Sequence, residues 1–360
     1  MRRVQIVEDS DATAFGLDAT TRLTRQLARL DAQPAEADAE AALRGDRVYD
    51  ASVLRALLAA PEGTWLVDAE ALPVAVRFAP EGAEAATRAL AEGVLPPGAA
   101  PTTAEALAGG YDPKLRRRNA PFVLRAEDPR VEQALFDASY KGVTDAVTKH
   151  VWPPLALPVT RWCARASVTP NQVTVASGVL VLVAFWLFWI GAFGWGLAAA
   201  WAMTFLDTVD GKLARTTLSA SRFGDVLDHG IDLVHPPFWW WAWAAGCAAA
   251  GDPLGDGGAA VAVIVAGYVL QRGEEGLFIA RFGIEMHVWR RFDSLFRQIT
   301  ARRNPNLVIL TAAALLGAPR EGLIAVAAWT ALCFGVHALR IGQAFLAARR
   351  GPLVPWMAQA

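Results

Sequence analysis

Apolar and polar positions change rhythm near residue 150. Upstream, short apolar runs alternate with charged and turn-forming residues; downstream, long runs of Val, Leu, Ala and Trp are interrupted only at intervals. Residues 4–7 read as a strand, and 17–30 place apolar side chains at helical spacing with arginines between them. Residues 53–60 give another helix, while 65–67 and 74–78 read as short strands separated by turn-prone residues. The pattern predicts a small soluble α/β domain over residues 1–130. Residues 93–110, rich in Gly, Pro and Ala, read as loop with at most one short helix, and the arginines at 116–118 as solvated surface. A connector and interfacial segment follows over 131–168: residues 129–148 read as helical, and 155–166 as an amphipathic helix with Arg161, Trp162 and Arg165 near a membrane surface.

Beyond Thr169, Pro170 and Asn171, which interrupt that helix and can start the next, about six stretches approach the roughly 20 residues needed to cross hydrocarbon. They are 173–193, 195–213, 224–250, 259–282, 296–316 and 323–347. The fold class expected is therefore an α-helical integral membrane bundle of about six transmembrane helices over residues 169–350, preceded by the soluble α/β domain. Arg222, Arg281, Arg290, Arg291, Arg297, Arg302, Arg303, Arg349 and Arg350 fall at one end of these stretches, and Asp252, Asp256 and Arg320 at the other. The positive-inside rule then places both termini in the cytoplasm of a multi-pass protein of the inner (cell) membrane. Residues 1–8 lack the apolar core of a secretory signal, which agrees with a cytoplasmic N-terminal domain.

A formal net charge of −1 argues against a nucleic-acid binder, which would show a basic excess. Cys163, Cys247 and Cys333 are far apart and form no CxxC pair, so neither a disulfide framework nor a zinc site is expected.

The chemistry concentrates in two neighbouring apolar stretches. Asp207, Asp210, Gly211, Ala214 and Arg215 are followed after eight residues by Gly224, Asp228 and Asp232. Carboxylates at such positions are costly and mark a wet or protein-lined functional cavity. Asp207 and Asp210 share one helical face, and Asp228 and Asp232 another, so facing helices would bring all four together. Their hard oxygens suit Mg²⁺ or Mn²⁺. Gly211, Ala214 and Gly224 leave room for close approach, and Arg215 offers a planar donor fork to phosphate, with Lys212 a weaker choice. The residues alone also admit acids paired with arginines inside a bundle, a cation- or proton-coupled transporter, or a membrane-anchored interaction protein.

The pattern D-x-x-D-G-x-x-A-R-x8-G-x-x-x-D-x-x-x-D is matched at every position and resembles the signature of the CDP-alcohol phosphotransferases; the resemblance covers residues 155–350. It implies transfer of a phosphoryl-alcohol (phosphatidyl) group from a CDP-linked donor to an acceptor hydroxyl, with release of CMP. Asp207, Asp210 and Asp228 then resemble metal ligands that orient the CDP diphosphate. Asp232 resembles the general base and can complete a two-metal site, while Gly211, Ala214 and Gly224 resemble the cytidine pocket. The donor is CDP-diacylglycerol or a soluble CDP-alcohol, the acceptor an alcohol or polyol phosphate, the setting a lipid bilayer, and the assembly a homodimer. Arg302 and Arg303, followed by Asn304 and Asn306, could hold a phosphate on the acceptor, or serve as a positive-inside anchor. Arg272, Glu274 and Glu275 line a polar cavity or pair internally, while His229 and His235 read as structural.

The β-then-α opening also resembles a nucleotidyltransferase of the kind fused to some members of this family. A working one needs a Gly-rich phosphate loop after the first strand. Glu8, Asp9, Ser10 and Asp11 stand there instead, so a degenerate, noncatalytic domain is expected. Asp9, Asp11 and Asp68 read as acidic surface loops rather than a metal site.

Overall fold

The structure, a computed structural model, describes residues 1–255 and 258–359, apart from the side chains of Pro80, Phe223, Asp225, Asp228 and His229. The chain forms two compact units that interleave in sequence. One comprises Met1–Tyr140, Thr160–Ser167 and Lys212–Ser219; the other comprises Lys141–Val159, Val168–Gly211 and Ala220–Ala360.

The first unit is built on a mixed six-stranded sheet, ordered Ala32–Pro34, Arg2–Val7, Ala41–Arg44, Pro73–Arg77, Trp65–Val67 and Pro101–Thr103. Arg2–Val7 runs parallel to both neighbours, and Pro73–Arg77 antiparallel to both of its own. Helices α1 (Ala19–Ala28), α2 (Ala51–Ala59), α3 (Ala83–Glu92), α4 (Ala104–Ala108) and α5 (Val131–Ala138) complete it. Asp18 caps α1 by accepting from Thr21 N at 2.7 Å, and Asp50 caps α2 by accepting from Ser52 N at 2.8 Å. Val4, Leu23, Leu27, Leu43, Leu57 and Leu66 form the core between sheet and helices. The loop expected over 93–110 holds the edge strand Pro101–Thr103 as well as α4. That strand carries no apolar alternation, because it is an exposed edge held by backbone pairing to Trp65–Val67. Asp68 is not an acidic surface loop: it is buried, bonds Arg47 Nη2 at 3.3 Å and accepts Glu70 N and Leu72 N to close a turn.

Helices α6 (Trp152–Arg165), α7 (Pro170–Trp189), α8 (Phe193–Thr216), α9 (Arg222–Ala249), α10 (Ala259–Phe282), α11 (Arg291–Phe296), α12 (Arg303–Leu315) and α13 (Pro319–Ala348) make the chain mostly helical beyond residue 150. By length and composition, α7 and α13 are apolar enough to cross a membrane. Thr169 starts α7 through a capping box with Gln172, with Pro170 in the first turn where its missing N–H costs nothing. The fifth stretch differs from expectation, since α11 and α12 replace one helix running from 296 to 316. Pro305 explains the break: inside a continuous helix it would leave the Ala301 carbonyl without its donor and clash with that turn. In the first turn of α12 it is tolerated. At 13 residues, α12 is about 20 Å long, short of the roughly 30 Å hydrocarbon thickness. Asp256, assigned from the sequence to one end of the bundle, lies outside the described residues.

Trp239, Trp240 and Trp243 are buried against Val181, Phe188, Met203 and Leu323, with Trp239 Nε1 donating to Val181 O at 3.0 Å. Helix α9 approaches the end of α7 closely at Gly246, where a Cβ would collide with Phe188 O and lie 3.1 Å from Gly191 Cα. Gly246→Ala should therefore cost about 1–3 kcal/mol through overpacking. Thermal unfolding in detergent should show a lower midpoint for Gly246→Ala and little change for Gly335→Ala, around which nothing lies within 4 Å.

Candidate active site

Within the helical unit, α8 supplies Asp207 and Asp210, α9 supplies Asp232, and the first turn of α12 supplies Arg303. One guanidinium joins two of these acids. Arg303 Nη2 donates to Asp207 Oδ2 at 2.6 Å and Nη1 to Asp232 Oδ1. Two acids from different helices and 25 residues apart in sequence thus share one cation. Asp210, one turn from Asp207, is buried; its Oδ2 accepts from Thr174 Oγ1 on α7 at 2.7 Å. Its Oδ1 is buried with no partner among the described residues. The Asp228 side chain, fourth member of the expected set, lies outside the described residues, as does that of His229.

Gly224 sits against α7, where a Cβ would collide with Asn171 Oδ1 and lie 3.1 Å from Ser221 Oγ. Any larger residue would displace that amide. Gly211 ends the stretch of α8 that belongs to this unit. Ala214 and Arg215 continue the same helix into the other unit, where Arg215 is exposed. Lys212, weighed above as a phosphate ligand, is buried in that unit: Nζ donates to Ser139 O at 3.1 Å and lies 2.9 Å from the centroid of the Tyr140 ring. Its charge is spent on local structure. Burial pushes the Tyr140 phenol above its ordinary range.

Arg302, the neighbour of Arg303, turns to a different acid. It pairs with Glu275 of α10, whose Oε1 also lies 3.1 Å from His287 Nε2 and whose Oε2 lies 3.6 Å from Arg272. The charges at 272 and 275 are therefore internal pairs. His235 is buried and bonds Ile231 O through Nδ1 at 2.6 Å, as a structural histidine does.

One contributor was not anticipated. Asp145 accepts from Asn304 Nδ2 at 3.0 Å, from Thr148 N at 3.0 Å and from Thr148 Oγ1 at 2.8 Å. It thereby ties down the residue next to Arg303. In the sequence Asp145 is an isolated acid in a connector, and only the long-range bond to Asn304 gives it meaning.

Among the described residues, no three His, Cys, Asp or Glu side chains are grouped to hold a metal ion. Chemically the donors fit a hard divalent cation: all are carboxylates, and buried Asp210 Oδ1 has a lone pair facing no donor among the described residues. Their present arrangement is centred on Arg303.

Carboxylates from two helices, bridged by an arginine inside an apolar helical unit, define a polar site of the kind found in membrane-embedded enzymes. The profile of the CDP-alcohol phosphatidyltransferase family matches residues 167–337. The phosphatidylinositol phosphate synthase of Mycolicibacterium smegmatis is 34% identical over 102 residues, covering 27% of this chain and 46% of its own length. That of Mycobacteroides abscessus is 31% identical over the same number of residues and shares. The chain thus matches about half the length of these curated relatives. A crystal structure of the Mycobacterium tuberculosis phosphatidylinositol phosphate synthase with CDP-DAG bound aligns over 52% of this chain and 94% of its own, with 19% identity and a TM-score of 0.41.

Asp145→Ala should remove the acceptor shared by Asn304 and Thr148 and free the first turn of α12. Loss of such a buried acceptor costs about 1–3 kcal/mol. Hydrogen exchange at the backbone amides of residues 303–307 should accelerate in this variant, while the amides of α7 should be unaffected.

Proposed function

We propose that the protein transfers a phosphoryl-alcohol group from a CDP-linked donor to an acceptor hydroxyl and releases CMP. The observation that carries this reading is the meeting of Asp207 and Asp232 on one guanidinium beside the buried, half-unpartnered Asp210, within a complete family signature. Residues 169–350 are the catalytic membrane domain, a bundle of about six spans with its active site and both termini at the cytoplasmic face. The assembly is a homodimer, as in the family the signature resembles.

Asp207, Asp210 and Asp228 would hold Mg²⁺ or Mn²⁺, with Asp232 able to complete the set. When bound, the metal neutralises charge on the diphosphate of the donor. Gly224, whose lack of a Cβ permits its close approach to Asn171, is assigned with Gly211 and Ala214 to the cytidine pocket by the family resemblance, and Arg215 offers its fork to a phosphate oxygen. Asp232 takes the proton from the acceptor hydroxyl as its oxygen attacks the phosphorus bonded to the donor alcohol. The bond from that phosphorus to CMP breaks, and CMP leaves with the electron pair. CDP-diacylglycerol with a polyol phosphate is the favoured pair, because Arg303 in the first turn of α12 offers a phosphate-binding fork beside Asp207 and Asp232, whereas Arg302 is paired with Glu275. A soluble CDP-alcohol with a lipid hydroxyl is the other pairing.

Residues 1–130 are noncatalytic in this reading. No glycine stands between Arg2–Val7 and the small hairpin Thr13–Ala14/Leu17–Asp18 that precedes α1, and Asp9 is engaged by Ser10 N at 2.8 Å and by Thr20 Oγ1. The full chain carrying Asp210→Asn, incubated with CTP and phosphorylated alcohols, should release no pyrophosphate; release at enzymatic rates would contradict the assignment.

Turnover should require Mg²⁺ or Mn²⁺ and should be lost on exhaustive chelation or in Asp210→Asn. Asp232→Asn should lower the single-turnover rate by roughly a hundred- to ten-thousand-fold, as loss of a general base does. Donor affinity measured by calorimetry should change far less. Collapse of donor binding together with the rate would make Asp232 chiefly a ligand.

A further inference from the structure

Arg303 is the cation around which Asp207 and Asp232 are arranged, and both acids belong to the set assigned above to a divalent metal. The guanidinium takes one oxygen of each acid, Asp207 Oδ2 and Asp232 Oδ1, and its positive charge competes with a divalent cation for the same pair. We propose that Arg303 is an internal counter-ion: it neutralises Asp207 and Asp232 until a divalent cation binds, and then passes to a phosphate group of the substrate. The proposal rests on the function proposed above and assigns Arg303 a role in coupling the two binding events.

The charges argue for an exchange. One guanidinium pairs with both Asp207 and Asp232, and Asp210, one helical turn from Asp207, adds a third carboxyl that Arg303 does not reach. The fork reaches two acids, leaving Asp210 Oδ1 buried without a partner among the described residues. A divalent cation answers this charge better than a single arginine. Its arrival frees Arg303, whose side chain is only 14% exposed and whose Nε already lacks an acceptor among the described residues. A buried arginine stripped of its carboxylates is costly, and a phosphate, matched to the planar fork, removes that cost.

The surroundings confine the exchange to one side chain. Glu275 holds Arg302 back from the carboxylates, and the Asp145–Asn304 bond pins the backbone beside Arg303. Phosphate and cation must then favour each other's binding, because the same arginine obstructs one and receives the other. Linkage makes that coupling reciprocal.

The test is Mn²⁺ binding to the full chain in detergent, measured by calorimetry with and without inorganic phosphate and corrected for the metal–phosphate complex in solution. Without phosphate, Arg303→Gln should bind Mn²⁺ on the order of tenfold more tightly than the unaltered protein, within the usual span of coupling between sites. Phosphate should tighten Mn²⁺ binding to the unaltered protein severalfold and leave Arg303→Gln unchanged. If Arg303→Gln does not fold, Arg303→Lys decides, since an ammonium cannot bridge both acids as the fork does and Mn²⁺ affinity should still rise. Affinity that is equal or weaker in the folded variants, with binding still abolished by Asp210→Asn, overturns the counter-ion and leaves the metal site standing. Absence of any Mn²⁺ binding that depends on Asp210 overturns both.

Discussion

The ion pairs of Arg303 with Asp207 and Asp232 are the constraint on which the rest of the site depends. Carboxylates set into apolar helices repel one another, and helices carrying them pack at less cost when a cation stands between them. Here the cation comes from α12, so α8, α9 and α12 are tied at one point. The features around it keep Arg303 in place: Pro305 fixes the first turn of α12, which Arg303 opens, Asp145 holds Asn304, and Glu275 draws Arg302 aside. Glycines let the helices come close enough, at Gly224 against Asn171 and at Gly246 against the end of α7.

The signature acids were legible in the sequence because their meaning is local. The spacing of three on a helix, in an apolar context, already places Asp207 with Asp210, while the Asp228 side chain expected beside Asp232 lies outside the described residues. The start of α7 was equally plain, since Thr169, Pro170 and Gln172 carry their own capping chemistry. What lay hidden depended on partners distant in sequence. Arg303 reads from the sequence as a phosphate ligand or a positive-inside anchor, and its pairing with Asp207 at 2.6 Å is not legible there; Asp145 reads as an ordinary connector acid. Lys212 misleads for the opposite reason: it stands inside the signature, yet Ser139 and Tyr140 claim it. In the first unit, the edge strand Pro101–Thr103 shows no hydrophobic alternation, so only its pairing with Trp65–Val67 reveals it.

Arg303 as counter-ion would give chemical sense to a family signature whose one basic residue, Arg215, lies on the far side of Gly211 in the other compact unit. The acids suit a divalent cation, the small residues admit a nucleotide, and neither explains how a cluster of charges folds before any ligand arrives. A basic residue outside the signature, reaching in from a later helix, meets that need and has the right chemistry to turn next to a phosphate. On the proposal above, one side chain would link folding, metal binding and substrate binding.

The most direct measurement is of products: the purified full chain, given Mg²⁺, CDP-diacylglycerol or soluble CDP-alcohols and a panel of hydroxyl acceptors, with CMP quantified and the lipid product identified by mass. The account predicts CMP released in equal amount with a new phosphodiester lipid, only when donor and acceptor are both present. Folded protein that yields no CMP with any pairing of donor and acceptor would contradict it.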